Sequence, residues 1–134
     1  MADKLAERVL VVPAALFHEV GVFQGFRADV SRYLPLLLDP AQLSYRPRAE
    51  VETDPSFKQL IPYVVLKCGG QVFHYARGRR GTEARLRALR SIGVGGHICA
   101  EDGVVRGDDY RLGMLREVRE EVHLDGPTPS GDSA

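Results

Sequence analysis

The stretch "LGMLREVREEVHL", residues 112–124, places Glu117, Glu120 and Glu121 within five consecutive positions of one helix-forming run. At about 100° per residue, the three glutamates fall within one arc of roughly a third of a helix. Leu115, Val118 and Val122 lie on the other side. Such a helix can bury an aliphatic face and present three carboxylates together. Two readings follow: a solvated face laced with ion pairs, or a cation site. Glu120 has Arg116 four residues before it and His123 three after, so it can pair along its own helix. Glu117 and Glu121 have no basic residue at helical spacing. They stand four apart and repel each other by about a few tenths of a kcal/mol if exposed. A hard divalent cation such as Mg²⁺ takes several oxygen ligands and would turn that repulsion into ligation.

Working outward, Asp109 is placed to cap a helix from about Tyr110 to His123. Before it come an acidic loop, "CAEDGVVRGDD" (99–109), and a short strand, "SIGVGGHI" (91–98). Gly93, Gly95 and Gly96 in that strand suit a backbone that something approaches closely. "YVVLKC", "GG" and "QVFHYAR" (63–77) spell a β-hairpin, two β-rich runs joined by glycines that tolerate positive φ. "RGRRGTEARLRAL" (77–89) reads as a loop. In the first half, "ERVLVV" (7–12) has strand composition, and "AALFHEV" forms a helix after Pro13 that ends at Gly21. "VFQGF" (22–26) is a loop with two aromatic anchors. "ADVSRYLPLLLDPAQL" (28–43) is a weak helix broken by Pro35 and Pro40. "SYRPRAEVETDPSFKQL" (44–60) is polar, proline-punctuated and irregular, and "DGPTPSGDSA" (125–134) is a frayed tail. There is no internal repeat.

With 134 residues, the chain has the length of one small domain, and 44% hydrophobic content is enough for a core. Lys plus Arg and Asp plus Glu are both 18, so net charge names no partner. Zero charge and 7% aromatic content argue against a nucleic-acid binder. Arg77, Arg79, Arg80, Arg85, Arg87 and Arg90 precede the acidic run of Glu101, Asp102, Asp108, Asp109 and the three glutamates. That order suits phosphate held through metal and arginine together, and equally two exposed segments that neutralise each other. Cys68 and Cys99 form no CxxC, which excludes a disulfide framework or zinc ribbon. The aliphatic runs are too short to span a bilayer and no targeting segment opens the chain, so a soluble cytoplasmic protein is expected.

The order of strand, paired glycines, acidic loop and glutamate helix resembles the signature box of the Nudix hydrolases. That box is a glycine, five residues, a glutamate, seven residues, then R-E-U-x-E-E-x-G-U, with U aliphatic. Gly96 fits the first glycine, and Arg116, Glu117, Val118, Glu120, Glu121 and Leu124 fit the second half. Asp102 stands where the box has glutamate, thirteen residues instead of seven separate it from Arg116, and His123 replaces the last glycine. "FQGF", "RPRAEVETDPSFKQLIPYVV" and "SIGVGGHI" resemble one group within the superfamily, the predicted phosphoesterases.

The resemblance implies an α/β (α+β) fold: an α/β/α sandwich around a mixed sheet. Residues 1–61 would be an extension packed on the core, 62–124 a partial Nudix domain, and 125–134 a disordered tail. Glu117, Glu120 and Glu121, with the Gly96 carbonyl, would hold Mg²⁺ or Mn²⁺, and Arg116 would orient Glu120. The implied activity is hydrolysis of a phosphoanhydride in a nucleoside diphosphate linked to another moiety. Further strands and a second helix would follow the glutamate helix. "DGPTPSGDSA" stands there instead, so the fold reads as truncated, which would impair activity. A Nudix remnant that binds nucleotide or protein without turnover is the alternative. An uncovered sheet edge would favour a homo-oligomer that completes the sheet.

His97 is a candidate phosphate contact, or a histidine that fixes a turn. Arg77, at a strand end, is the best of the arginines for a substrate phosphate. His74 alternates in a strand and is expected to be structural. Nothing marks Cys99 as activated, and Tyr110 is expected to pack on the core.

Overall fold

A computed structural model of the chain describes residues 6–77 and 89–123. The arginines at 79, 80, 85 and 87, Leu124 and the tail 125–134 lie outside the described residues. The elements run β1 (Arg8–Pro13), α1 (Ala15–Val20), α2 (Val30–Leu37), β2 (Ser44–Pro47), α3 (Arg48–Val51) and β3 (Phe57–Gln59). They continue with β4 (Tyr63–Val65), β5 (Lys67–Cys68), β6 (Gln71–Val72), β7 (Tyr75–Ala76), β8 (Arg90–Ser91), β9 (Gly93–Gly95) and α4 (Asp109–Glu121). Helices and strands are mixed along the chain, which makes the class α+β.

The run "VLVV" explains the centre of the molecule. Four consecutive apolar residues in a strand put apolar side chains on both faces, so both faces must be covered. Val9, Leu10, Val11 and Val12 are fully buried. Leu10 and Val12 face one cluster with Leu16, Leu43, Tyr45 and Ile98, while Val9 and Val11 face another with Val51, Phe57 and Cys99. β1 is also the middle strand of its sheet, in the order β2-β1-β3. On the β3 side, residues 98–100 extend the ladder: Leu10 N–H donates to Ile98 O at 2.9 Å, and Val9 bridges Cys99.

This arrangement corrects the reading of residues 44–60 as irregular. That stretch supplies both neighbours of β1 and the turn of α3. Its polar look comes from edge strands that expose alternate residues. Arg46 and Lys58 face out, while Tyr45 is buried. Arg46 itself lies 4.1 Å from the Phe57 ring centroid, a cation–π contact that reaches from β2 across the face of β1 to β3. α2 also continues through Pro35 to Leu37, where a break was expected. Leu38 N–H still bonds Leu34 O at 2.9 Å, and the buried Tyr33 holds the helix down. In the loop before it, Phe23 packs against Phe17 and Tyr33, whereas Phe26 is 88% exposed and anchors nothing.

The hairpin forms where the paired glycines place it. Gly69 takes φ 59°, with Lys67 opposite Val72 and Cys68 opposite Gln71. Its flanks separate into other pairs, β4 with β9 and β7 with β8. Every described ladder is antiparallel, so the parallel pairing of a mixed sheet is not among the described residues.

Candidate functional site

α4 begins at Asp109, not after it, and ends at Glu121. The expected cap is a different device. The Asp109 carboxylate reaches backwards, accepting Arg106 N–H at 2.8 Å and Gly107 N–H at 2.9 Å on one oxygen. On the other oxygen it accepts the Tyr45 hydroxyl at 2.8 Å. The carboxylate thus ties the turn before the helix to β2. Burial alone would push its pKa up, but the bonds from Tyr45 and the two backbone N–H groups outweigh this and hold it below the usual carboxylate value. The same pairing, with burial as the larger cause, pushes the Tyr45 hydroxyl upward.

The helix presents an i, i+4, i+8 stripe of Asp109, Gly113 and Glu117 to the strand that runs past it. Asp109 and Gly113 are buried and Glu117 is half-buried. A methyl placed on Gly113 would lie 2.8 Å from Ile98 Cγ1, so glycine sets the depth of packing here. One turn on, Glu117 comes down onto Gly96. A methyl on Gly96 would lie 2.5 Å from the Glu117 carboxyl carbon. The inward stripe is therefore small and acidic, and Leu115, Val118 and Val122 are only half-buried beside it. The sequence periodicity placed Glu117 wholly on the outer arc; close approach of two glycines lets it turn in.

Burial, and then the charges of Glu120 and Glu121, push the Glu117 pKa up; Arg116 acts weakly the other way. Glu120 and Glu121 are exposed on the last turn. Arg116 Nε stands 3.9 Å from Glu120 Oε1, the pairing expected from its spacing. The three carboxylates share one field without forming a closed cage. Among the described residues, no group of three or more His, Cys, Asp or Glu side chains converges at ligating distance. Mg²⁺ does not require one, since it keeps several waters and takes one or two carboxylates together with substrate phosphates. Oxygen donors on Glu117 and the Gly96 backbone, with the exposed carboxylates of Glu120 and Glu121 on the same helical turn, fit that requirement.

His97 Nδ1 lies 2.7 Å from Gln59 Oε1, joining the segment after β9 to β3. Burial and then Arg48 lower its pKa, against Glu52 and Glu7, which favours the neutral ring. Arg77 donates from Nη1 to Ser91 Oγ at 3.1 Å, within the β7–β8 ribbon. His74 accepts from Arg90 Nε at 2.7 Å. Asp102 pairs with Arg106, which holds its carboxyl at about 2. The Cys99 thiol, pushed up by burial and by Glu7, is not activated. Tyr110 packs against the core. Tyr45 is a site-shaping residue that sequence reasoning missed, and Asp109 is one whose role it misread. Gly107, at φ 101°, and a tyrosine needing a buried partner were the available signals.

A glycine just past β9 thus faces a carboxylate on the helix that follows, within an α+β domain. The chain is 34% identical to Tm1382, a solved structure provisionally assigned to the Nudix hydrolases, with a TM-score of 0.64 over 89% of this chain and 59% of that one. It is 36% identical over 126 residues to Protein YmaB of Bacillus subtilis (strain 168), covering 90% of this chain and 61% of that protein. No family model matches. The likeness to Tm1382 supports a place in the Nudix superfamily, and the chain spans about three fifths of the length of these two relatives. No helix among the described residues is long and apolar enough to cross a membrane.

Proposed function

We propose that this domain serves a divalent-metal-dependent hydrolase that cleaves a phosphoanhydride in a nucleoside diphosphate linked to another group. The observation that carries the proposal is the half-buried Glu117 carboxylate. It is lowered onto a side-chain-free backbone at Gly96 and held beside two further glutamates that raise its pKa. A surface helix gains nothing from such crowding; a cation site gains a ligand set. Glu117, Glu120 and Glu121, with the Gly96 carbonyl, would hold Mg²⁺ or Mn²⁺. Bound there, the metal would polarise a phosphoryl oxygen and make water a better nucleophile. Arg116 keeps Glu120 oriented across one helical turn. One of the three carboxylates, when not ligating the metal, would be the proton acceptor for the water. His97, now bonded to Gln59, and Arg77, now bonded to Ser91, are kept as candidate phosphate contacts.

Asp102 supports a second reading, a domain that binds nucleotide without turnover. It stands where the family has a glutamate, and it is engaged with Arg106. One assay separates the two. Incubation with Mg²⁺ and a panel of nucleoside diphosphate derivatives should release the two phosphoryl halves at a rate abolished by chelation. Metal-dependent binding of the same compounds without product would establish the second reading and reject the first.

A further inference from the structure

The chain changes partners next to the proposed metal site. Gly95 is paired with Tyr63 of β4, and Ile98 O already accepts Leu10 N–H of β1 at 2.9 Å. Between them, Gly96 and His97 belong to neither ladder. The peptide that joins these two residues carries the Gly96 carbonyl. Glycine at 96 makes room for Glu117, and without a side chain it also leaves the direction of that carbonyl soft. Something outside the ladders has to fix it. Side chains alternate through this stretch. Gly96 and Ile98 turn towards α4, where they meet Glu117 and Gly113. Cys99 turns the other way, into the cluster of Val9, Val11 and Val51. His97 turns with Cys99, towards the charges of Arg48 and Glu52. There its Nδ1 donates to Gln59 Oε1 at 2.7 Å, because that oxygen can only accept. Gln59 stands opposite Val11, a fully buried residue of the central strand. The bond therefore grips the Gly96–His97 peptide from behind the surface that Glu117 meets.

We infer that Gln59 and His97 are positioning residues of the metal site: their hydrogen bond fixes the peptide that presents the Gly96 carbonyl to the cation. The inference rests on the metal-dependent reading above and gives it a support outside the glutamate helix. It also gives the His97 ring a role that needs no contact with phosphate. A merely structural tie to β3 would stabilise the fold and leave ion affinity alone. A support behind a ligand changes metal affinity, typically by about 10–100-fold.

The test is the Mn²⁺ affinity of the full chain, read from the EPR signal of the free ion, beside its urea stability without metal. Gln59→Leu removes the acceptor and should weaken Mn²⁺ binding about tenfold or more. The amide nitrogen of asparagine reaches about as far as histidine Nδ1, and that of glutamine about as far as Nε2. His97→Asn should therefore keep the bond and the wild-type affinity, and His97→Gln should show the same loss as Gln59→Leu. These affinities should follow the bond and not the urea midpoints. Wild-type affinity in Gln59→Leu or in His97→Gln would overturn the inference, and so would equal losses in His97→Asn and His97→Gln. If Glu120→Gln and Glu121→Gln lose Mn²⁺ while Gln59→Leu binds it as the wild type does, this inference alone fails. If the wild type does not bind Mn²⁺, the metal-dependent reading fails and the support falls with it.

Discussion

Glu121→Gln is expected to raise the stability of the metal-free chain slightly while abolishing its response to Mn²⁺. Glu121 lies four residues after Glu117, and its charge helps to push the Glu117 pKa up. Removing a like charge at that spacing relieves about 0.2–0.5 kcal/mol. The same carboxylate is one of three proposed metal ligands. Its loss should reduce metal-dependent hydrolysis by at least about 100-fold. Metal-induced stabilisation, which follows the ligand concentration relative to its Kd, should vanish with it. Glu120→Gln should lose the same function without the same gain in stability, because Glu120 also pairs with Arg116. Arg119→Gln, on the exposed side of the same helix, serves as the control and should change neither. Melting temperatures with and without Mn²⁺, together with rates, check all three variants. Wild-type Mn²⁺ affinity in both glutamine variants would remove the glutamates from the metal site.

The second large effect concerns the anchor of the helix. Asp109→Ala removes the acceptor of Tyr45 O–H and of the Arg106 and Gly107 N–H groups at once. A buried donor left without a partner costs about 1–3 kcal/mol, and part of that is recovered by relaxation. The expected loss is about 3–5 kcal/mol, a large share of a stability of about 5–15 kcal/mol. Asp109→Asn keeps an acceptor for the two backbone donors and should lose less. The folded-state pKa of Asp109 lies below its ordinary 3.8. Its ionised form therefore contributes stability at all pH values above the unfolded pKa. That contribution is lost as pH falls through the folded value. Urea denaturation across the acid range should show this slope in the wild type and a flatter one in Asp109→Asn. A loss below about 1 kcal/mol in the alanine variant would mean that the turn and Tyr45 find other partners.

Much of this was legible in residues 63–123. The paired glycines at 69–70, the strand ending at Gly95 and the glutamate helix are local signals, each fixed by a few residues in sequence order. Residues 44–60 were not legible, because β2 and β3 are four and three residues long and expose every other side chain. The clue lay elsewhere, in β1. A strand apolar on four consecutive positions has to be central, and a central strand needs two neighbours from somewhere in the chain. The inward turn of Glu117 was hidden for a related reason. Helical periodicity assigns residues to faces by hydrophobicity, whereas Gly113 and Gly96 allow an acidic stripe to become the packed one. Asp109 was misread because capping rules look forward along the helix. This carboxylate bonds backward, to a turn opened by Gly107 and across to Tyr45.

The central claim is that a divalent ion sits between the glutamates of α4 and the backbone at Gly96. Titration of the ¹⁵N-labelled chain with Mn²⁺, read as paramagnetic broadening of assigned amides, tests it directly. The amides of Gly96 and of residues 117–121 should broaden first and together, at substoichiometric metal. Broadening that begins instead at Asp102 and Asp108 in the acidic loop, with Gly96 sharp, would contradict the account.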